Sequence, residues 1–243
     1  MTWDWQVFLQ DTGAGETYLD WMFSAWGWTL SVAFLALIIA LVMGTIVGTL
    51  RTLPNERLLG KLAVGFGTVW VELFRNIPLL VQIFIWYHVI PALVPPMKTL
   101  PGFVLVVFAL GFFTSARIAE QVRAGIQSLP RGQRAAALAI GMTTFQSYRL
   151  VILPLAFRII IPPLTSESMN IVKNSSVAFA VSVAELTLFA LQAQEETSRG
   201  IEVYLAVTTL YMITAFAINR LMARIERGVR VPGLIAAGQA GGH

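Results

Sequence analysis

The chain has no cysteine and two histidines, His88 and His243. That excludes a disulfide framework, thiolate chemistry and a histidine-based metal or catalytic cluster. Charge is scarce as well: 12% of the 243 residues are Asp, Glu, Lys or Arg, about half of what a soluble domain carries. No Gly-x4-Gly-Lys-Ser/Thr run occurs, so no phosphate-cradling loop belongs to this chain. The first fifty residues hold no Lys or Arg, whereas Asp4, Asp11, Glu16 and Asp20 are acidic. A cleavable signal peptide opens with a basic region, so the N-terminus is expected to be translocated and retained.

Apolar length is what the chain has in abundance. It is 56% hydrophobic with a mean hydropathy of +0.71, and several runs approach the roughly 20 residues that cross a bilayer core. This is the pattern of an integral membrane protein. The first span is expected from about Phe23 to Leu50, opened by Trp21, Trp26 and Trp28 at the interface. A second follows a short amphipathic approach and runs from about Val69 to Ile90, a third from Phe103 to about Ala119, a fourth from Phe157 to Val181 and a fifth from Ile201 to Met222. Hydropathy alone also permits splitting the fourth region into 150–164 and 177–193, giving six spans. Charge decides between them. With five spans, the 51–61 loop, the 117–149 loop and the C-terminal tail share one side, which holds twelve of the seventeen basic residues against Lys98 and Arg199 opposite. Lys and Arg near span ends set orientation, so the expected topology has the N-terminus outside and the C-terminus in the cytoplasm. The sequence pI near 9.8 then reflects that bias, and nucleic acid is not an expected partner. One domain is expected: an extracytoplasmic segment 1–22, five spans over 23–222 with a cytoplasmic loop at about 120–153, and a basic tail at 223–243.

Strongly polar residues interrupt the fourth span in the stretch SESMNIVKNSSVAF, residues 166–179. At about 100° per residue, Ser166, Glu167, Asn170, Lys173 and Asn174 fall within an arc of about 120°. A Lys or Asp at the centre of a span costs roughly 2.5–3.5 kcal/mol, so such a stripe faces protein or water. Two readings fit: a lining of a polar passage, or ionic contacts that serve assembly alone. Pro154, Pro162 and Pro163 lie in or ahead of this span and interrupt its backbone bonding. The second span carries ELFRNIPLLVQ, residues 72–82, in which Glu72 and Arg75 can pair three residues apart and Pro78 fixes a break ahead of Gln82. In the first span Gly44-x3-Gly48 is a small-residue helix-contact motif.

The polar loop contains GQRAAALAIGMTTFQSYRLVILP, residues 132–154. Ala135 to Ile140 forms helix readily and has little side-chain bulk, Gly141 permits a turn, and Thr143 or Thr144 can cap a second short helix. A short exposed helix of small residues can sit deep in a partner's groove, or it can lie on the membrane surface.

This loop resembles the EAA loop of permease subunits of bacterial ATP-binding-cassette (ABC) importers, Glu-Ala-Ala, three residues, Gly, nine residues, Ile-x-Leu-Pro. The matching residues are Ala136, Ala137, Gly141, Val151, Leu153 and Pro154. LFRNIPLLVQ, ARIAEQVRAGIQSLPRGQ, ILPLAFRIIIPPL and VKNSSVAFAVSVAEL are similar to the polar amino acid branch, closest in wording to glutamate/aspartate systems. The resemblance covers about residues 22–230. It implies an all-α fold, five transmembrane helices of the type-1 importer permease with a cytoplasmic coupling helix. It implies transport rather than enzymology, with a second related permease subunit, an ATPase pair that binds ATP and Mg, and an extracytoplasmic solute-binding protein as partners; no cofactor is expected on this chain. The coupling residues it implies are Gly132, Gln133, Arg134, Ala135, Ala136, Ala137 and Gly141. The candidate pathway residues are Glu167, Asn170, Lys173, Asn174, Arg75 and Gln82, of which Lys173, Asn174, Asn170 and Arg75 offer cationic and amide donors that suit a dicarboxylic amino acid. The chain departs from the pattern at Ala135, where the family carries Glu, so any ion pair of that Glu is absent. Alternatives are the same machinery for another polar amino acid such as glutamine, or an ion-coupled carrier, which should carry acidic residues deep in several spans.

Overall fold

The computed structural model describes residues 3–229; of the expected basic tail 223–243, residues 223–229 continue the last helix and the part from Arg230 lies outside the described residues. Among the described residues the structure is helical, with one isolated bridge between Asp11 and Thr17. The helices are α1 (Tyr18–Leu50), α2 (Leu58–Asn76), α3 (Leu79–Leu93), α4 (Gly102–Gln127), α5 (Arg131–Ala139), α6 (Thr144–Val181), α7 (Leu186–Thr197) and α8 (Gly200–Val229). Short 3-10 turns occur at Trp5–Leu9 and Pro95–Thr99.

Four helices, α1, α4, α6 and α8, are each long and apolar enough to cross a membrane, and α2 with α3 makes a fifth as a sharply bent pair. The second expected span, 69–90, is therefore not one helix. α2 starts eleven residues earlier, at Leu58, and stops at Asn76, because the residue before a proline is pushed out of the α region and Pro78 follows Ile77. The third span also runs on: α4 continues through Glu120 to Gln127, so the first residues of the expected loop 120–153 are helix. The region that hydropathy allowed to split is continuous as α6 over 38 residues. Residues 177–193 do not form a further span. α6 ends at Val181, Ser182 adopts a left-handed conformation, and α7 is a separate helix of 12 residues.

Pro162 and Pro163 lie inside α6 without ending it. Membrane helices tolerate proline where neighbouring groups take up the freed carbonyls. Near its start α6 widens to a π turn over Tyr148–Ile152, a distortion frequent at functional sites.

The chain divides into two compact units. One holds residues up to Ile39, Ile77–Phe113 and Met169–Ala217. Its core gathers Val7, Phe8 and Met22 against Phe189, Val203 and Val207, and Trp21 meets Phe189 edge to face at 5.0 Å. The other holds Ala40–Asn76, Thr114–Ser168 and, among the described residues, 218–229. There α1 and α4 approach so closely that a Cβ on Gly44 would lie 2.7 Å from the Ile118 Cβ, and one on Gly48 would lie 2.6 Å from the Ala119 carbonyl oxygen. The Gly44-x3-Gly48 motif is thus a true contact, since only glycine admits this approach.

Candidate functional site

The polar loop folds as an elbow. α5 runs from Arg131 to Ala139 and Ile140 closes its C-terminus. Gly141 then takes φ +85°, the left-handed conformation that glycine reaches without a Cβ penalty. Thr143 caps the next helix with a capping box: its Oγ1 accepts from the Gln146 N–H at 3.2 Å, and its own N–H donates to Gln146 Oε1 at 2.9 Å. Gly132, Gln133, Ala135 and Ala136 are exposed, Arg134 is half-buried, and Ala137 turns inward. The outer face of the elbow carries large apolar groups: Ile140 is 75% and Phe145 71% exposed.

The elbow is tied to the turn after α1. The Tyr148 hydroxyl, on a buried ring, donates to the Thr52 carbonyl at 2.6 Å. Beside it Arg51 pairs with Glu120, which Arg123 also holds at 2.8 Å. A cavity of about 510 Å³ lies among Arg51, Gln127, Arg134 and Tyr148.

Glu167 is 5% exposed. Its carboxylate receives Arg117 Nε at 3.0 Å and Gln121 Nε2 at 3.2 Å. Arg117 and Gln121 are four apart on α4 and so share a face, which makes them a two-pronged clamp on one buried acid. The sequence put Glu167 in the polar stripe; the structure separates it from the rest of that stripe by burial. Lys173 and Ser166 are exposed, and Asn170 and Asn174 are half-exposed. Glu72 and Arg75 pair weakly at 3.8 Å with both side chains half in the open, and Asn76 donates to Glu72 at 2.8 Å. Gln82 is buried, its Nε2 donating to the Ile77 carbonyl at 2.9 Å, which satisfies a carbonyl released by the Pro78 break.

Three arrangements carry little sequence signal, because each includes a partner far along the chain. One is the Arg117–Glu167 pair itself. Another is the Asp4, Arg199 and Glu202 group, with Arg199 Nη2 at 3.4 Å from Asp4 and the Asp4 N–H at 3.0 Å from Glu202. The third is Glu185, fully buried in the link between α6 and α7, accepting from the Thr187 and Leu188 N–H groups at 2.9 and 3.0 Å and from the Tyr211 hydroxyl at 3.1 Å. Burial pushes its carboxyl up to about 7, against those hydrogen bonds, which work to lower it. Among the described residues no cluster of His, Cys, Asp or Glu fits a metal ion.

Apolar helices in number, a bent second crossing and a small-residue elbow define the membrane component of an ABC importer. The family described as the binding-protein-dependent transport system inner membrane component matches residues 36–231, and the chain belongs to it. It is a transport subunit, not an enzyme. Among curated relatives it is 43% identical over 242 residues, 95% of this chain and 96% of the relative, to the glutamate/aspartate import permease protein GltJ of Escherichia coli K12. It is 36% identical to a probable glutamine ABC transporter permease protein, GlnM, of Bacillus subtilis, over 82% of this chain and 90% of that one. It is 30% identical to the glutamine transport system permease protein GlnP of Escherichia coli K12, over 84% and 90%. A solved amino acid ABC transporter with histidines superposes with a TM-score of 0.75 at 31% identity, covering 93% of this chain and 99% of that one. The fold is that of the type-1 importer permease, and the chain is a multi-pass inner-membrane protein of amino acid import. Its family implies a partner permease, an ATPase and a substrate-binding protein.

Proposed function

We propose that the chain, with a second related permease, forms the passage through which an ATP-driven importer brings glutamate and aspartate into the cytoplasm. The observation that carries this reading is the 43% identity to GltJ over 95% of the chain. In this reading the N-terminus lies outside and the C-terminus in the cytoplasm, supported by the acidic first fifty residues and the Arg-rich loops and tail.

ATP and Mg bind on the partner ATPase pair. The elbow from Gly132 to Gly141 docks there, with Ala135 and Ala136 leaving room for a groove wall and Ile140 and Phe145 filling apolar pockets. Docking at this chain goes by shape, because Ala135 has no carboxylate. Closure of the ATPase pair moves the elbow, and α6 is one continuous helix from Thr144, so the movement reaches Asn170, Lys173 and Asn174. Exposed polar groups on a spanning helix are costly against lipid, which supports turning them toward the sister subunit. There Lys173, and Arg75 beside the Pro78 break, supply cationic donors that suit a dicarboxylate, and Gln82 shapes the break. Glu167 acts on the pathway indirectly, by anchoring α6 to α4 through Arg117.

The test is ATP hydrolysis by the reconstituted complex, titrated with binding proteins loaded with glutamate, aspartate or glutamine. Stimulation by the glutamate- and aspartate-loaded proteins is expected. A second reading, the same machinery for glutamine, draws on the 30–36% identity to glutamine permeases; stimulation by the glutamine-loaded protein alone would establish it instead.

A further inference from the structure

We propose that the N-terminal segment and the start of α8 form the surface on which the extracytoplasmic binding protein docks, and that the binding protein meets it with a Lys- and Arg-rich lobe. The inference rests on the permease reading and its orientation, and adds the docking site and the chemistry of the docked face.

The segment is built rather than loose. The Asp4 side chain caps the Trp5–Leu9 turn by accepting from the Gln6 N–H at 3.1 Å, while Glu202 and Arg199 hold Asp4 itself. Asp11 accepts from the Gly13 N–H at 2.7 Å, the Thr12 N–H donates to the Glu16 carbonyl at 2.9 Å, and the Thr17 hydroxyl donates to Asp20 at 2.7 Å. Val7 and Phe8 point inward to the core shared with α7 and α8, and the Tyr18 hydroxyl donates to Glu196 at 2.7 Å. A surface fixed in this way loses little entropy when a partner lands on it.

What the segment leaves outside has the anatomy of an interface. Trp3, Trp5 and Leu9 are 61%, 50% and 68% exposed, and the Trp3 and Trp5 rings stack at 6.1 Å. Trp3 also walls a groove of about 930 Å³, together with Glu195, Arg199 and Tyr204. Around this apolar centre stand the exposed acids Asp11, Glu16, Asp20, Glu195 and Glu196. An aromatic centre with a charged rim is how protein interfaces are laid out.

Charge selects the occupant. Residues 3–22 and 195–202 together hold seven of the chain's thirteen acids and, in Arg199, one of its seventeen bases. So strong a segregation steers a partner of opposite sign and repels an anionic lipid surface. The family is described as binding-protein-dependent, and in the orientation proposed above the extracytoplasmic binding protein meets the face that carries this segment. The family match begins at residue 36, so the segment lies ahead of the shared module.

The test uses the full complex in nanodiscs and titrates the glutamate-loaded binding protein while ATP hydrolysis is read. Glu16 and Glu195 are exposed, and their side chains take part in no hydrogen bond or ion pair among the described residues. The double variant Glu16→Lys/Glu195→Lys is expected to raise the half-saturating binding-protein concentration about tenfold at low salt, with basal and maximal rates unchanged. The difference should shrink toward about 0.5 M salt, where surface charges are screened. Trp5→Ala should raise the half-saturating concentration at every salt concentration. Unchanged half-saturation in both variants overturns the inference, as does a shift that follows the phosphatidylglycerol content of the disc rather than the binding protein. Wild-type complex that no binding protein stimulates refutes the permease reading itself; a stimulated wild type with indifferent variants refutes only the docking surface.

Discussion

Arg117 on α4 and Glu167 on α6 meet at 3.0 Å, and Glu167 has almost no other route to water. The acid is thereby committed to its own chain. Arg117→Met would leave a buried carboxylate with Gln121 alone, costing about 1–3 kcal/mol, less than for a fully enclosed pair because Arg117 is itself partly exposed. Thermal unfolding of the detergent-solubilised complex measures this, and Arg117→Met/Glu167→Gln should recover part of the loss.

Tyr148→Phe keeps the buried ring and removes its hydroxyl bond to the Thr52 carbonyl. The expected stability loss is about 1 kcal/mol. The elbow, no longer tied to the turn after α1, should also transport fewer substrate molecules per ATP hydrolysed. Parallel uptake and phosphate-release assays read that ratio directly.

Gly141 sits at φ +85° between α5 and the Thr143 cap. A β-branched side chain there costs about 1–2 kcal/mol, so Gly141→Val should loosen the elbow. ATP hydrolysis should become insensitive to the binding protein while the chain still inserts in the membrane, as judged by membrane fractionation and hydrolysis assays.

Glu185 lies in the link between α6 and α7, outside the candidate spans, with its carboxyl pushed up to about 7 by burial. The folded protein therefore holds the proton between the ordinary value of 4.5 and about 7, while the unfolded chain releases it. Stability attributable to this group is greatest below pH 4.5, falls as pH rises to about 7 and is level above. Thermal midpoints across that range should show the decline in wild type and a flatter profile in Glu185→Gln.

Five spans, the break at Pro78, the elbow and the Thr143 cap were legible in the sequence because each depends on residues within a few turns of one another. Charge bias rejected a sixth span, and α6 is indeed continuous through Pro162 and Pro163. Span ends were less legible: α4 runs through Glu120 to Gln127 because Arg51 and Arg123 neutralise Glu120, a partnership between helices that periodicity does not encode. The same holds for Glu167. Its position on the helical wheel placed it with Lys173, yet Arg117, fifty residues away, decides that it is buried. Arg117 and Gln121, four apart on one helix, were the available hint.

Lys173 is exposed on a spanning helix, where a lone charge against lipid is costly, and it is proposed above to line the passage. Lys173→Met should cut glutamate uptake several-fold while leaving assembly with the sister permease and ATPase intact, measured by copurification. Normal uptake in an assembled complex removes this residue from the pathway.

Uptake of radiolabelled glutamate into proteoliposomes that hold the complex, given ATP on the elbow side and the loaded binding protein on the other, decides whether the chain serves an ATP-driven importer of acidic amino acids. Glutamate should accumulate, the accumulation should stop without ATP or without the binding protein, and unlabelled aspartate should suppress it. Accumulation without ATP, driven by an ion gradient, or accumulation of glutamine but not glutamate, would contradict that reading.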